Sequence, residues 1–462
     1  MSDRLVTHRR KGFPMITALY YPIKIVKAYR QSIAYIPSLL ALGYFLLGLA
    51  AVVPEEGLIP LPVTFEFLHF TDTETRRTLL ATLLTGMVSL MVFSFSMVMS
   101  VLSQAGGNFS HKMVFGLVTK RHHQWVLGHY LGTILYVLML LMMPGSDDSP
   151  GLWGSLHAYL GAVMVIHCLA LFVYFIHKAS QSVQVNSVTA SLHQATTHSL
   201  SRMKARQQAA RFEHLSQVKP ATTTHFVIAS DKTGTIQRAD FEKLVELATH
   251  KQAILYFNVS LGDFVLKGYP LLRVEAAAPP DEEWIREVLA QIVHGQAESI
   301  EDSHVHGLTQ LMEIAIKALS PGVNDPGTAL LCINHLTDLL RQRLNFTPCN
   351  ALVDEQDKLR VTWPTEDFDS LLYRIITPIV CYGHKDLSIG LSLLEALKTL
   401  SLFAENAQRE SLQQQADRVI EMLNRAAQHH LDRDFINKKL NSGEHRLILP
   451  DSLVAASVHN SE

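Results

Sequence analysis

Apolar positions along this chain fall into two regimes. Over roughly the first 180 residues they run on almost unbroken: 32–53, 78–103, 125–143 and 152–176 contain no Asp, Glu, Lys or Arg. Each run approaches or exceeds the roughly 18–20 residues that an α-helix needs to cross a hydrocarbon core of about 30 Å. Four in succession, separated by short polar loops, predict a four-helix transmembrane domain over 32–176. Beyond it the apolar residues recur at helix or strand spacing instead. Residues 177–215 lack Pro and Gly, so the fourth span is expected to continue as a polar helix until Lys219 and Pro220 end it. A β-rich module follows over 220–278, with strands at 225–229, 235–237 and 253–257, a helix at 241–249 capped by Asp240, and a closing hairpin at 262–272. From 279 to 441 the pattern is helical, with segments at 282–293, on either side of a turn near 320, and at 366–382, 387–403 and 410–432. A short hairpin, 351–353 with 359–363, interrupts them, and 442–462 reads as a loose tail.

Charge sets an orientation. Arg4, Arg9, Arg10, Lys11, Lys24, Lys27 and Arg30 precede the first span, Lys112, Lys120 and Arg121 lie between the second and third, and Lys178 follows the fourth. The opposite loops hold Glu55, Glu56, Asp72, Glu74, Asp147 and Asp148, with Arg76 and Arg77 their basic pair. By the positive-inside rule both termini are cytoplasmic. The leader 1–31 mixes apolar clusters with Lys24, Lys27 and Arg30, as a helix lying on the inner leaflet would; its basic start and long following span do not fit a cleavable signal. The whole chain has a formal net charge of −2, which gives no indication of nucleic-acid binding. Cys168, Cys332, Cys349 and Cys381 are widely spaced and read as free thiols, so neither a metal nor another cofactor is expected.

Five sets of residues bear on the candidate chemistry. In the second span Thr82, Gly86, Ser89, Phe93, Ser96, Ser100 and Ser103 follow one another by three or four residues, giving one small, hydroxylated helix face. Such a face packs closely against another helix, or lines a narrow aqueous path built by several subunits. His167, near the middle of the fourth span, is the ionisable group of note at depth; it reads as a neutral histidine bonded to a neighbour, or as a proton or ion site. In the soluble half, Ser320, Pro321, Gly322, Asn324, Asp325, Pro326 and Thr328 form a turn between two helices. Pro321-Gly322 ends the first helix, and Asn324 or Asp325 caps the second with Pro326 in its first turn. The turn is either structural or a seat for a small anion on the second helix's amides, with Asp325 competing for them. His193, His198 and His214 lie on the polar extension, as solvated side chains or a pH-sensing group. His304 and His306, two apart, point to different sides of a helix and would not share a metal there.

The hairpin string G-D-x-V-x-x-G-x-x-L at 262–271 resembles that of barrel-sandwich folds such as lipoyl domains. Asp231-Lys232 precedes that string instead of following it, so a lipoyl attachment is not expected and the module reads as structural or as a small-molecule sensor. The string A-L-S-P-G-V-N-D-P-x-T-A at 318–329 closely resembles the signature of a bacterial family of predicted membrane proteins, domain of unknown function 2254. Phe93-Ser-Phe-Ser-Met-Val-Met-Ser100, Leu127-Gly128-x-x-Leu-Gly132-Thr133, Tyr174-Phe-Ile-His177 and Gly262-Asp-Phe-Val265 agree with it in order. The likeness covers roughly 30–440 and implies an inner-membrane architecture without an activity. One departure is the stretch 297–302, where the family has an Arg-rich string and a Gln-Asp pair and this chain keeps only the acidic member, Asp302.

No nucleotide loop, zinc helix motif or nucleophile elbow is present in the sequence, so a non-enzyme is expected. The fold class is an α-helical integral membrane protein with four transmembrane helices and an α+β cytosolic domain, the latter a small barrel-sandwich-like β module plus a helical C-terminal core. The role expected is a homo-oligomeric, channel- or transporter-like protein of the bacterial inner membrane, with the bilayer and further copies as partners and an unidentified ion or small anion as ligand. The alternative is a membrane scaffold or signalling protein that presents its cytosolic domain.

Overall fold

The computed structural model describes residues 35–51, 72–108, 121–142, 152–182, 184–207, 212–215, 225–295 and 303–453. The expected surface helix of the leader lies outside them, as do Asp302 and the rest of 297–302. The chain divides into two compact units, essentially the membrane-type helices up to 183 and the remainder from 184.

The first unit contains α1 (Tyr35–Ala50), α2 (Thr73–Asn108), α3 (Arg121–Met142) and α4 (Leu152–Ser182). The stretches Thr73–Gln104, His123–Met142 and Ser155–Gln181 are long and apolar enough to cross a membrane. The first expected span is present as α1, an apolar helix whose 16 described residues cover about 24 Å at 1.5 Å per residue. Close packing of α1 on α3 depends on glycine. A Cβ on Gly128 would stand 2.7 Å from Leu40 Cδ1, one on Gly132 2.7 Å from Tyr44 Cγ, and one on Gly48 3.1 Å from Met139 Cβ. Gly128 and Gly132 are four apart, so they form one smooth strip that lets the α1 backbone approach. Leu80 and Met87 of α2 join Tyr136, Val137, Tyr130, Ala158, Val165 and Cys168 in two apolar clusters along the bundle. Outward surfaces are apolar too, with Val88, Ile166 and Val173 exposed, as suits a hydrocarbon solvent; Phe93, on the hydroxylated face of α2, is exposed as well.

The polar extension departs from expectation. Helix α4 ends at Ser182, α5 spans Val185–Gln207, and Phe212–Glu213 is a strand, β1, where helix was expected to 215. Ser- and Thr-rich sequence without Pro or Gly permits helix but does not enforce it.

In the second unit β2 (His225–Ala229), β3 (Gly234–Ala239), α6 (Phe241–His250), β4 (Ile254–Phe257), β5 (Phe264–Val265) and β6 (Pro270–Glu275) follow the expected plan, and Asp240 caps α6 by accepting from Lys243 N. After α7 (Glu282–Ala290) the chain turns into β7 (Ile292–Gly295), so the helix expected to 293 stops three residues early. The strands do not close on themselves as a barrel-sandwich. They lie in a six-stranded sheet, β1-β8-β9-β4-β6-β2, and a three-stranded one, β5-β3-β7. The larger sheet recruits β8 (Ala351–Val353) and β9 (Leu359–Thr362), about a hundred residues away, by parallel pairing of β4 with β9, Leu255 opposite Val361. A buried Arg360–Asp354 pair at 2.7 Å steadies that hairpin, and Arg360 also reaches Ala253 O.

The helical core comprises α8 (His304–Ala318), α9 (Pro326–Leu344), α10 (Phe368–Tyr382), α11 (Leu387–Phe403), α12 (Asn406–Ala426) and α13 (His430–Leu440). Its helices start at side-chain caps, Ser303, Asp325, Asp367 and Asp386 among them. The single helix expected over 410–432 is interrupted at 427–429, giving α12 and α13. The expected loose tail is pinned as far as residue 453. Arg446 N donates to Ser401 Oγ, Ile448 N to Gln413 Oε1 and Leu453 N to Asn437 Oδ1, while Leu447 and Leu453 are buried.

Candidate functional site

The hydroxylated stripe lies on α2. That helix turns Leu80, Met87 and Ser94 into the bundle. At 100° per residue, Thr82, Gly86, Ser89, Ser96, Ser100 and Ser103 fall on the opposite side, and all six are exposed. A Cβ placed on Gly86 meets nothing within 4 Å. Thr82, Ser89 and Ser96 donate to the carbonyls four residues back at 2.8, 3.0 and 3.0 Å. Their donors are thus satisfied within the helix. Among the described residues no helix of this chain covers the stripe, so packing inside one subunit does not account for it.

His167 is exposed near the middle of α4, not enclosed as a neutral core histidine would be. Its ring stands 5.3 Å from that of His129, nearly perpendicular. His129, on α3, lies 2.8 Å through Nδ1 from the Tyr44 hydroxyl on α1, and Trp125 flanks it at 5.9 Å. Three helices thereby contribute to one polar cluster in an apolar bundle. Sequence singles out His167 alone, because the approach of His129 to it depends on how α3 and α4 pack. The signal available was the Gly128/Gly132 strip, which marks where α1 comes close enough to deliver Tyr44.

The 320–328 turn sits on the surface of the second unit. Helix α8 ends in a C-cap at Leu319, and Asp325 N returns to Ala318 O at 2.8 Å. Asp325 accepts from Thr328 N at 3.1 Å and Thr328 Oγ1 at 2.6 Å, with Pro326 starting α9. Those bonds to Thr328 hold its carboxyl below the usual carboxylate range. The chain's own carboxylate therefore occupies the amides an anion would need. The left-handed residue is Asn324, at φ +47°, and not Gly322. Of the histidines on the polar extension, His193 Nε2 meets Asp338 Oδ2 at 2.8 Å and His214 Nδ1 meets Pro348 O at 3.0 Å, while His198 is exposed. They are dispersed rather than clustered. Among the described residues no three or more His, Cys, Asp or Glu gather to hold a metal.

An uncharacterized protein of Mycobacterium bovis is 24% identical over 351 residues, covering 74% of this chain and 66% of the relative. One of Mycobacterium tuberculosis shows the same figures. This chain therefore spans just under two thirds of the length of those relatives. No solved structure matches it. The model of the family described as Predicted membrane protein (DUF2254) matches residues 30–399, and the chain belongs to that family.

Proposed function

We propose that this protein is a homo-oligomeric, channel-like protein of the bacterial inner membrane, non-enzymatic, in which α2 from several copies lines a narrow aqueous path. The observation that carries this reading is the exposed stripe of Thr82, Gly86, Ser89, Ser96, Ser100 and Ser103, turned away from the chain's own bundle. A small hydroxylated face gains little from lipid contact, whereas it suits a neighbouring helix or water. Four helices enclose no useful conduit, so the path requires further copies. The exposed His167 supports the same reading, since a polar ring at mid-bilayer depth is costly against lipid. With α1 taken as a fourth span, the positive-inside rule puts both termini and the second unit in the cytoplasm. The expected cargo is an ion or small anion.

A scaffold in which copies pack through the stripe without a path is the second reading, favoured by the same exposure. One substitution separates the two. In proteoliposomes, Ser96→Leu should abolish ion flux while leaving the detergent-solubilised oligomer intact if the face lines open space. Absence of flux in the unmodified protein, with a weakened oligomer in Ser96→Leu, would favour the scaffold.

A further inference from the structure

The second unit holds a cleft of ≈ 970 Å³ where the first turn of α8, the end of α9 and the start of α10 face α5, β3 and α6. Two nitrogen-rich side chains in its lining are almost wholly enclosed: His304 is 6% exposed and Arg343 2%. His304 Nε2 and Arg343 Nε are buried and have no hydrogen-bond partner among the described residues. One donor each from Nη1 and Nη2 of Arg343 goes to backbone, to Phe346 O at 2.7 Å and Glu366 O at 3.1 Å. Among the described residues it makes no ion pair; these carbonyl dipoles and the more distant charges of Glu366 and Asp367 favour its charged form. A buried, incompletely satisfied guanidinium is costly unless something else occupies the space it faces.

Three of the acids that line the cleft are engaged: Asp240 caps α6, Asp263 accepts from Ser260 N at 2.7 Å, and Glu366 pairs with Arg374. Glu242, on the same lining, is exposed. Burial, together with the charges of Arg343, His306 and Arg374, drives the pKa of His304 down to about 3, so its ring is neutral although it sits in a cationic surround. The first turn of the 15-residue helix α8 lines the same space; Ser303 takes Val305 N and His306 N, and the helix dipole still adds a partial positive charge there. Phe241 and Trp363, half-buried with ring centroids 4.2 Å apart, form an aromatic wall. The volume lies at the upper end of small-molecule sites and far exceeds what an inorganic anion fills.

We infer that this cleft binds a small organic phosphate of mononucleotide size. Its phosphate sits among His304, Arg343 and the α8 N-terminus, and its organic body lies against Phe241 and Trp363. The inference concerns the second unit alone and stands independently of the membrane path.

The test is calorimetric titration of the full-length protein in detergent with adenosine monophosphate, adenosine and inorganic phosphate as probes. Saturable binding of the monophosphate is expected, with adenosine and inorganic phosphate each weaker by about tenfold or more. His304→Gln should weaken the monophosphate by about tenfold, the scale of one lost hydrogen bond to a charged group. Arg374→Gln, on the exposed rim, should weaken it several-fold and decides the matter if His304→Gln fails to fold. No saturable binding of the monophosphate overturns the site. Equal affinity for inorganic phosphate or for adenosine overturns the organic phosphate. Unchanged affinity in the variants overturns the proposed seat.

Discussion

The Tyr44 hydroxyl of α1 lies 2.8 Å from Nδ1 of His129 on α3. Two polar groups inside an apolar bundle satisfy each other only if their helices come close, and Gly128 and Gly132 are what allow it. The pair anchors the shortest apolar helix to the bundle and places the His129 ring beside His167.

Gly132→Ala should therefore separate α1 from α3. Its new methyl would stand 2.7 Å from Tyr44 Cγ, and overpacking of this kind costs about 1–3 kcal/mol. The melting temperature in detergent should fall. Gly86→Ala, whose Cβ meets nothing within 4 Å, should leave it nearly unchanged.

The turn between α8 and α9 offers a second test. Asn324 takes φ +47°, a region that costs most L-residues about 1–2 kcal/mol and β-branched ones more. Asn324→Val should lower the melting temperature, and Asn324→Gly should not. Gly322→Val should be tolerated, since Gly322 is exposed, has no positive φ and has no atom within 4 Å of a built Cβ. A large loss from Gly322→Val with none from Asn324→Val would reverse this assignment.

Acid should weaken the second unit in two stages. Burial beside Arg343, His306 and Arg374 holds His304 down at about 3, while an unfolded histidine titrates near 6.5. The unfolded chain thus binds the extra proton between those values. Stability is full above pH 6.5 and falls as pH drops through the window. His335, lowered by burial and by His193, acts in the same direction. Depressed carboxylates such as Asp325 lose their contribution only below about pH 4. Melting curves from pH 7.5 to 4.5 should decline in wild type and decline less in His304→Gln; equal slopes would remove His304 from the account.

Lys398 closes the C-terminal end. Its ammonium is buried and donates to Lys439 O, Leu440 O and Ser442 O at 2.7, 2.9 and 2.7 Å. Lys398→Met would strand three carbonyls, at a cost of about 3 kcal/mol or more, and should expose 442–453 to limited proteolysis. Retained protection there would contradict the role.

Local signals were read well from sequence and long-range ones were not. Asp240 and Asp325 announce helix starts because a cap acts within three residues, and the span of α11 follows directly from its apolar spacing. Pairing of β4 with β9 depends on Leu255 meeting Val361, which no local pattern encodes, so the β module looked self-contained. The tail looked loose because its anchors, Ser401, Gln413 and Asn437, lie on other helices. The α2 stripe was visible as a pattern, but which way it faces depends on the position of Leu80 and Met87 in the bundle. The cleft at His304 and Arg343 brings together residues of five helices and two strands, and sequence showed only its histidine pair as a cluster.

The measurement that bears most directly on the proposed path is thiol reactivity along α2. Ser89→Cys and Ser96→Cys, in a background with Cys349→Ser and Cys381→Ser, are reconstituted and exposed to a charged, membrane-impermeant thiol reagent. Val173→Cys, on an exposed apolar face of α4 turned about 120° from His167, serves as the lipid-facing comparison. A water-lined path predicts modification at both α2 positions, accompanied by a change in ion flux, and none at 173. Stripe cysteines no more reactive than the one at 173 would contradict it.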